Sequence, residues 1–181
     1  MVPLRALARR RCEVGQRRWF LTSLTDLHKP QHLLATKTLP YSQEDLFRVI
    51  ADIDAYRSFV PFCTLSQTTK TAHGFPSEAN LRVGFKGFEE TFVSSVACRP
   101  HSSVMADASG KTPFTLLTVK WELGSQHARE TQVRLEIGFQ FDNPMYAGLG
   151  GAFAPKLAPL MMDAFEKRAD DVLSKTKPAA S

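Results

Sequence analysis

The chain of 181 residues carries 23 basic and 18 acidic side chains, is 43% hydrophobic and holds three cysteines. Beyond an N-terminal leader, about 150 residues remain, enough for one domain with a single sizeable core and too few for a second. Cys12, Cys63 and Cys98 show neither C-x-x-C spacing nor the density of a disulfide scaffold, which argues against a small stapled fold and fits a reducing compartment.

Charge is uneven along the chain. Residues 1–30 hold seven basic side chains (Arg5, Arg9, Arg10, Arg11, Arg17, Arg18, Lys29) and two acidic ones (Glu13, Asp26), leaving the remainder balanced at 16 and 16. An Arg-rich, acid-poor start that can place Leu4, Leu7, Trp19, Phe20 and Leu21 on apolar faces reads as a mitochondrial transit peptide. Arg18, Phe20 and Ser23 also fit the R-x-F-x-x-S pattern at which presequences are trimmed. A nucleic-acid-binding arm is the rival for six arginines. No net basic charge continues into the rest of the chain, which disfavours it.

A first strand is expected over His32–Leu39. Ser42 then stands three residues before Asp45 in a capping-box-like start, and Leu46, Val49 and Ile50 share one helical face. Asp52 and Asp54 can cap a second short turn that carries Tyr56, Phe59 and Val60 inward. Pro61 stops it.

A run of strands follows. Cys63–Thr71 is one; Leu81, Val83 and Phe85 alternate in the next, and Lys86-Gly87 supplies a two-residue turn into Phe88–Ala97. Val104–Ala106 and Phe114–Leu123 form a further pair joined across Ser109-Gly110. From Gln132 to Phe141, Val133, Leu135, Ile137, Phe139 and Phe141 alternate with Gln132, Arg134, Glu136, Gly138 and Gln140, which puts the five apolar residues on one face. This pattern predicts about seven strands in an antiparallel sheet with one apolar face.

The last segment covers that face, because Leu157, Leu160, Met161, Ala164, Phe165, Ala169 and Val172 recur at helical spacing. Between Asn143 and Met162 the only charge is Lys156. A membrane span is disfavoured by Gly148, Gly150, Gly151, Pro144, Pro155 and Pro159, since each costs helix stability and a span must close its own backbone hydrogen bonds. Asn143-Pro144 instead resembles an N-cap with proline at the first helical position. A pliable apolar stretch is expected from Tyr146 to Leu157, either packed statically or gating a cavity and leaning on a membrane surface.

Catalytic chemistry is mostly missing. Gly148-Leu149-Gly150-Gly151 lacks the third glycine, the βαβ unit and the acidic residue of a dinucleotide loop. His28, His32, His73, His101 and His127 are scattered, which disfavours a metal site. No G-x-S-x-G elbow is present. Glu89 and Glu90 are neighbours on a strand and point to opposite faces, so they do not pair as acid and base.

The stretch Leu46 to Cys63, LFRVIADIDAYRSFVPFC, with LRVGFKGFEETFVSSV (Leu81–Val96), VKWEL (Val119–Leu123), FDNPMYAGLGGAF and MMDAFEKRADDVL, resembles the START-like (helix-grip) superfamily, and specifically its mitochondrial coenzyme Q-binding branch. The resemblance spans residues 31–174, between the transit peptide and a flexible tail over 175–181. It implies an α+β helix-grip fold: a curved antiparallel sheet wrapped around a long C-terminal helix, with two short helices after the first strand. It also implies a cavity between sheet and helix. The expected lining is Phe47, Phe59, Pro61, Leu81, Phe85, Phe92, Phe114, Leu116, Trp121, Phe139, Met161 and Phe165, with Tyr146, Leu149, Phe153 and Leu157 at the gate or membrane contact. A buried Trp121 needs a partner for its indole N–H, either a ligand head group or a backbone carbonyl.

Members of this branch hold ubiquinone or deliver it to respiratory complexes at the matrix side of the inner membrane and support its biosynthesis. The resemblance therefore implies ubiquinone (coenzyme Q) as bound ligand, a peripheral membrane contact, no catalytic cofactor and no nucleic acid. Two rivals come from elsewhere in the superfamily: a ribosome-associated toxin-like factor, and a cyclase or hydrolase. Balanced charge disfavours RNA binding, and the missing acid/base constellation disfavours an enzyme.

Overall fold

A computed structural model describes residues 30–85, 88–109, 114–127, 129–142 and 144–174. The expected transit peptide, apart from Pro30, the tail over 175–181 and the turn residues Lys86-Gly87 lie outside the described residues. The elements in chain order are β1 (Gln31–Leu39), α1 (Gln43–Ala51), a 3-10 helix (Ile53–Ser58), β2 (Cys63–Ala72), β3 (Phe75–Phe85), β4 (Phe88–Arg99), β5 (Ser103–Ser109), β6 (Phe114–His127), β7 (Glu130–Phe141) and α2 (Pro144–Leu173). This is the helix-grip order.

Local chemistry accounts for α1. The Ser42 hydroxyl oxygen accepts from the Asp45 backbone N–H at 3.1 Å, satisfying one orphan donor of the first turn. Leu46, Phe47, Val49 and Ile50 are buried along its inner face. The 3-10 helix differs from expectation: the Asp52 side chain makes no capping bond. Asp54 instead accepts from the Thr68 backbone N–H at 2.7 Å, fastening the turn to β2.

Among the described residues, seven strands form one antiparallel sheet in the order β1-β7-β6-β5-β4-β3-β2. The first strand pairs with the last, from Gln31 opposite Phe139 to Leu39 opposite Thr131. In β7, Val133, Leu135, Ile137 and Phe139 are buried, as the alternation predicts. β3 starts at Phe75, six residues earlier than expected, because His73 and Gly74 both adopt positive φ (51° and 81°) and close a two-residue hairpin. Such turns match the right-handed twist of the flanking strands.

The C-terminal helix is longer than expected. It runs unbroken from Pro144 through Pro155 and Pro159 to Leu173, so the stretch expected to be pliable is helical backbone. Both interior prolines are exposed, while the small residues preceding them, Ala154 and Ala158, are buried with Met162, Phe165 and Ala169. Packing this stripe against the sheet offsets the donors the prolines lack. The stripe lies to one side of the predicted face, leaving Leu160 and Val172 exposed. Lys37 of β1 pairs with Glu166 and, at 3.5 Å, with Asp163, tying the sheet edge to α2.

Candidate functional site

Sheet and helix leave a cavity of about 300 Å³ between them. β3 to β7 supply most of its walls, α2 contributes Ala154, Leu157 and Met161, and the segment Val60–Cys63 closes one side. In that segment Phe62 has φ 66°, a left-handed conformation uncommon for a bulky residue, and its carbonyl accepts from the Gly84 N–H at 2.8 Å. The strained turn is thus pinned to β3 at the cavity edge.

Burial grades along the cavity. Ile53, Val96, Val104 and Trp121 are buried at the end nearest α1, whereas Pro61, Phe62, Gly84, Glu90 and Phe141 are half-buried near the end of the β3–β4 hairpin. Accessibility therefore rises toward the hairpin.

Of the expected lining residues, the structure brings together Pro61, Leu81, Phe92, Phe114, Trp121, Phe139 and Met161, with Leu157 from the expected gate. Four others stand elsewhere. Phe47 is buried against Phe75 at 5.2 Å between ring centroids, because α1 turns it into the core. Phe59 packs on Phe165 at 4.9 Å, and Phe165 lies beneath Trp121 at 4.5 Å, so both support the wall without lining it. Leu116 is displaced by an irregularity between Phe114 and Leu116 that breaks the period of two; Leu117 faces the cavity instead. The side chains of Phe85, Tyr146, Leu149 and Phe153 lie outside the described residues.

Sequence reasoning missed Ile53, Tyr56, Val83, Val96, Val119 and Ile137 among the apolar and aromatic walls, and Glu90 and Ser94 among the polar groups. Strand parity was the available signal for the last two, since both share the face of Phe92.

The lining offers little to a catalyst. Tyr56 donates its hydroxyl to the Ile50 carbonyl, and burial raises its pKa well above the usual phenol value. Cys63 donates to the Leu65 carbonyl at 3.3 Å, and burial likewise raises its thiol. Glu89 faces outward, where Thr64 donates to it at 2.9 Å, while Glu90 faces in; the two carboxylates are separated by the sheet. Among the described residues no group of His, Cys, Asp and Glu is placed to hold a metal ion. No helix of the described residues is long and apolar enough to cross a membrane.

Comparison with known proteins agrees with this geometry. The profile of the family described as polyketide cyclase / dehydrase and lipid transport matches residues 39–166. The mitochondrial coenzyme Q-binding protein of Schizosaccharomyces pombe is 33% identical over 138 residues, covering 75% of this chain and 84% of that one. A ribosome association toxin of Escherichia coli is 26% identical, covering 83% and 94%. Among solved structures, the Zhui aromatase/cyclase of a Streptomyces species superposes with a TM-score of 0.70 at 17% identity, over 80% of this chain and 96% of that one, a likeness of fold.

Proposed function

Because this chain belongs to the polyketide cyclase / dehydrase and lipid transport family, and within it to the mitochondrial coenzyme Q-binding proteins, we propose that its cavity holds the ring and proximal tail of ubiquinone. The observation that carries this reading is a lining of aromatic and aliphatic side chains with few polar groups, the composition suited to a quinone or lipid. The protein acts as a non-catalytic binder: its half-buried Cys63 thiol and Tyr56 hydroxyl are held in their neutral forms.

Size bears on how it works. At about 300 Å³ the cavity stands at the lower end of ligand pockets, about 300–1,000 Å³. It encloses a head group and a short run of isoprenoid. Each buried methylene contributes about 0.8 kcal/mol, so each five-carbon unit left outside costs roughly 3 to 4 kcal/mol in water. The rest of a long tail therefore stays in lipid, and the carrier works at a bilayer surface. In this reading residues 1–30 direct import, the first half of α2 gates the cavity and touches the matrix side of the inner membrane, and the quinone is passed to respiratory complexes or to the enzymes that make it.

The ribosome-associated reading has a 26% identical relative behind it. The balanced charge of residues 31–181 weighs against it, because RNA affinity rests on neutralised phosphates. Purification from mitochondria followed by mass spectrometry of the bound lipid tests the proposal. Co-purifying ubiquinone is the expected result; a lipid-free protein sedimenting with ribosomes overturns it.

A further inference from the structure

The cavity wall contains a built-in polarity that the quinone reading leaves unexplained. β4 lines the cavity with Glu90, Phe92, Ser94 and Val96 in alternation, so an acidic residue and a serine share one wall with a phenylalanine between them. Ser94 is only 3% exposed. Four residues of strand separate Glu90 and Ser94 by roughly 13 Å. A six-membered ring with oxygens at opposite corners, extended by a hydrogen bond of about 2.8 Å at each end, spans a comparable length. Phe92 lies where such a ring would rest.

The two polar groups differ in what they can bind. A hydroxyl donates or accepts, whereas a carboxylate only accepts. An oxidised quinone carries carbonyl oxygens, which also only accept, so against Glu90 it sets acceptor on acceptor in an apolar surround. The reduced form carries two O–H donors in the same positions, and a hydrogen bond from one of them to a carboxylate is charge-assisted and correspondingly strong. Glu90 has an interaction of its own within the protein. A carboxylate offers about four acceptor sites, which leaves room for the ligand.

We propose that Glu90 and Ser94 make this cavity selective for the reduced, dihydroxy form of the quinone, with Glu90 accepting from one ring hydroxyl and Ser94 meeting the opposite oxygen. The inference rests on the quinone reading above and adds to it the redox form of the cargo. Glu90 sets the preference, while Ser94, able to donate or accept, serves both forms.

The test uses the full-length protein and a short-tailed ubiquinone, oxidised or chemically reduced, under anaerobic conditions, with binding read from partition between protein and liposomes. The wild-type protein is expected to hold the reduced form at least about tenfold more tightly. Glu90→Gln, whose amide can donate to a carbonyl, is expected to bring that ratio close to one. Ser94→Ala is expected to weaken both forms by a similar factor and leave the ratio unchanged. Equal wild-type affinities, or a preference that survives in a Glu90→Gln protein with an unchanged unfolding midpoint, overturn the inference while the quinone reading stands. Binding of neither form by the wild-type protein removes that reading and the inference with it.

Discussion

The indole of Trp121 on β6 lies 4.5 Å from the ring of Phe165 on α2, tilted by 51°, and this contact joins the sheet to the helix beneath the cavity. Trp121 is 3% exposed and also lines the cavity, so its ring serves as both wall and core.

Removing that ring therefore has two consequences. Trp121→Ala is expected to cost about 3 to 5 kcal/mol of stability and to weaken quinone retention. Half-buried Leu81 lines the cavity with less of its surface in the core, so Leu81→Ala should cost below about 2 kcal/mol while still weakening retention. Denaturant midpoints measured beside ligand partition separate the two effects. Unaltered retention in a folded Leu81→Ala protein would remove Leu81 from the site.

Leu160 is 42% exposed on α2, one residue past Pro159 and close to the lining residue Met161. An exposed position tolerates charge, so Leu160→Asp should shift stability by no more than about 0.5 kcal/mol. A carboxylate resists leaving water, and liposome binding and quinone exchange should both fall. Co-flotation with liposomes reads the first and transfer between vesicles the second. Wild-type behaviour in both would remove this helix face from the membrane contact.

Deleting residues 1–30 should leave the thermal unfolding midpoint nearly unchanged and abolish mitochondrial residence. Fractionation of cells expressing the truncated chain checks this. Continued arrival in the matrix would contradict the presequence reading.

Tyr41 donates its hydroxyl to Asp170 at 2.5 Å, and this hydrogen bond, with some burial, raises its pKa from 10.0 to about 12. The folded state thus favours the neutral phenol. The stability it contributes is fully present below about pH 10 and is lost as pH rises through about 12. Solvent access keeps the effect modest. The wild-type chain should lose more stability than Tyr41→Phe across that window, as measured by denaturation at pH 9, 10, 11 and about 12; parallel curves would show that the bond contributes nothing.

Local order was legible in the sequence by itself. The alternation from Gln132 to Phe141 reports a backbone with a period of two, the Ser42–Asp45 spacing reports a helix start, and each is decided by neighbours a few positions away. Those local signals, taken in order, were enough for an antiparallel sheet with one apolar face covered by a terminal helix, and Arg-rich residues 1–30 marked themselves off by charge. What faces the cavity was decided by packing between distant segments. The irregularity after Phe114 exchanged Leu116 for Leu117, close approach of Ala154 and Ala158 turned α2 so that Leu160 faces out, and α1 carried Phe47 into the core. Glu90 and Ser94, by contrast, were legible from parity, since both share the face of Phe92 on β4. An apolar residue has the same signature in sequence whether it meets another side chain or an empty volume, and only the folded sheet and helix distinguish the two.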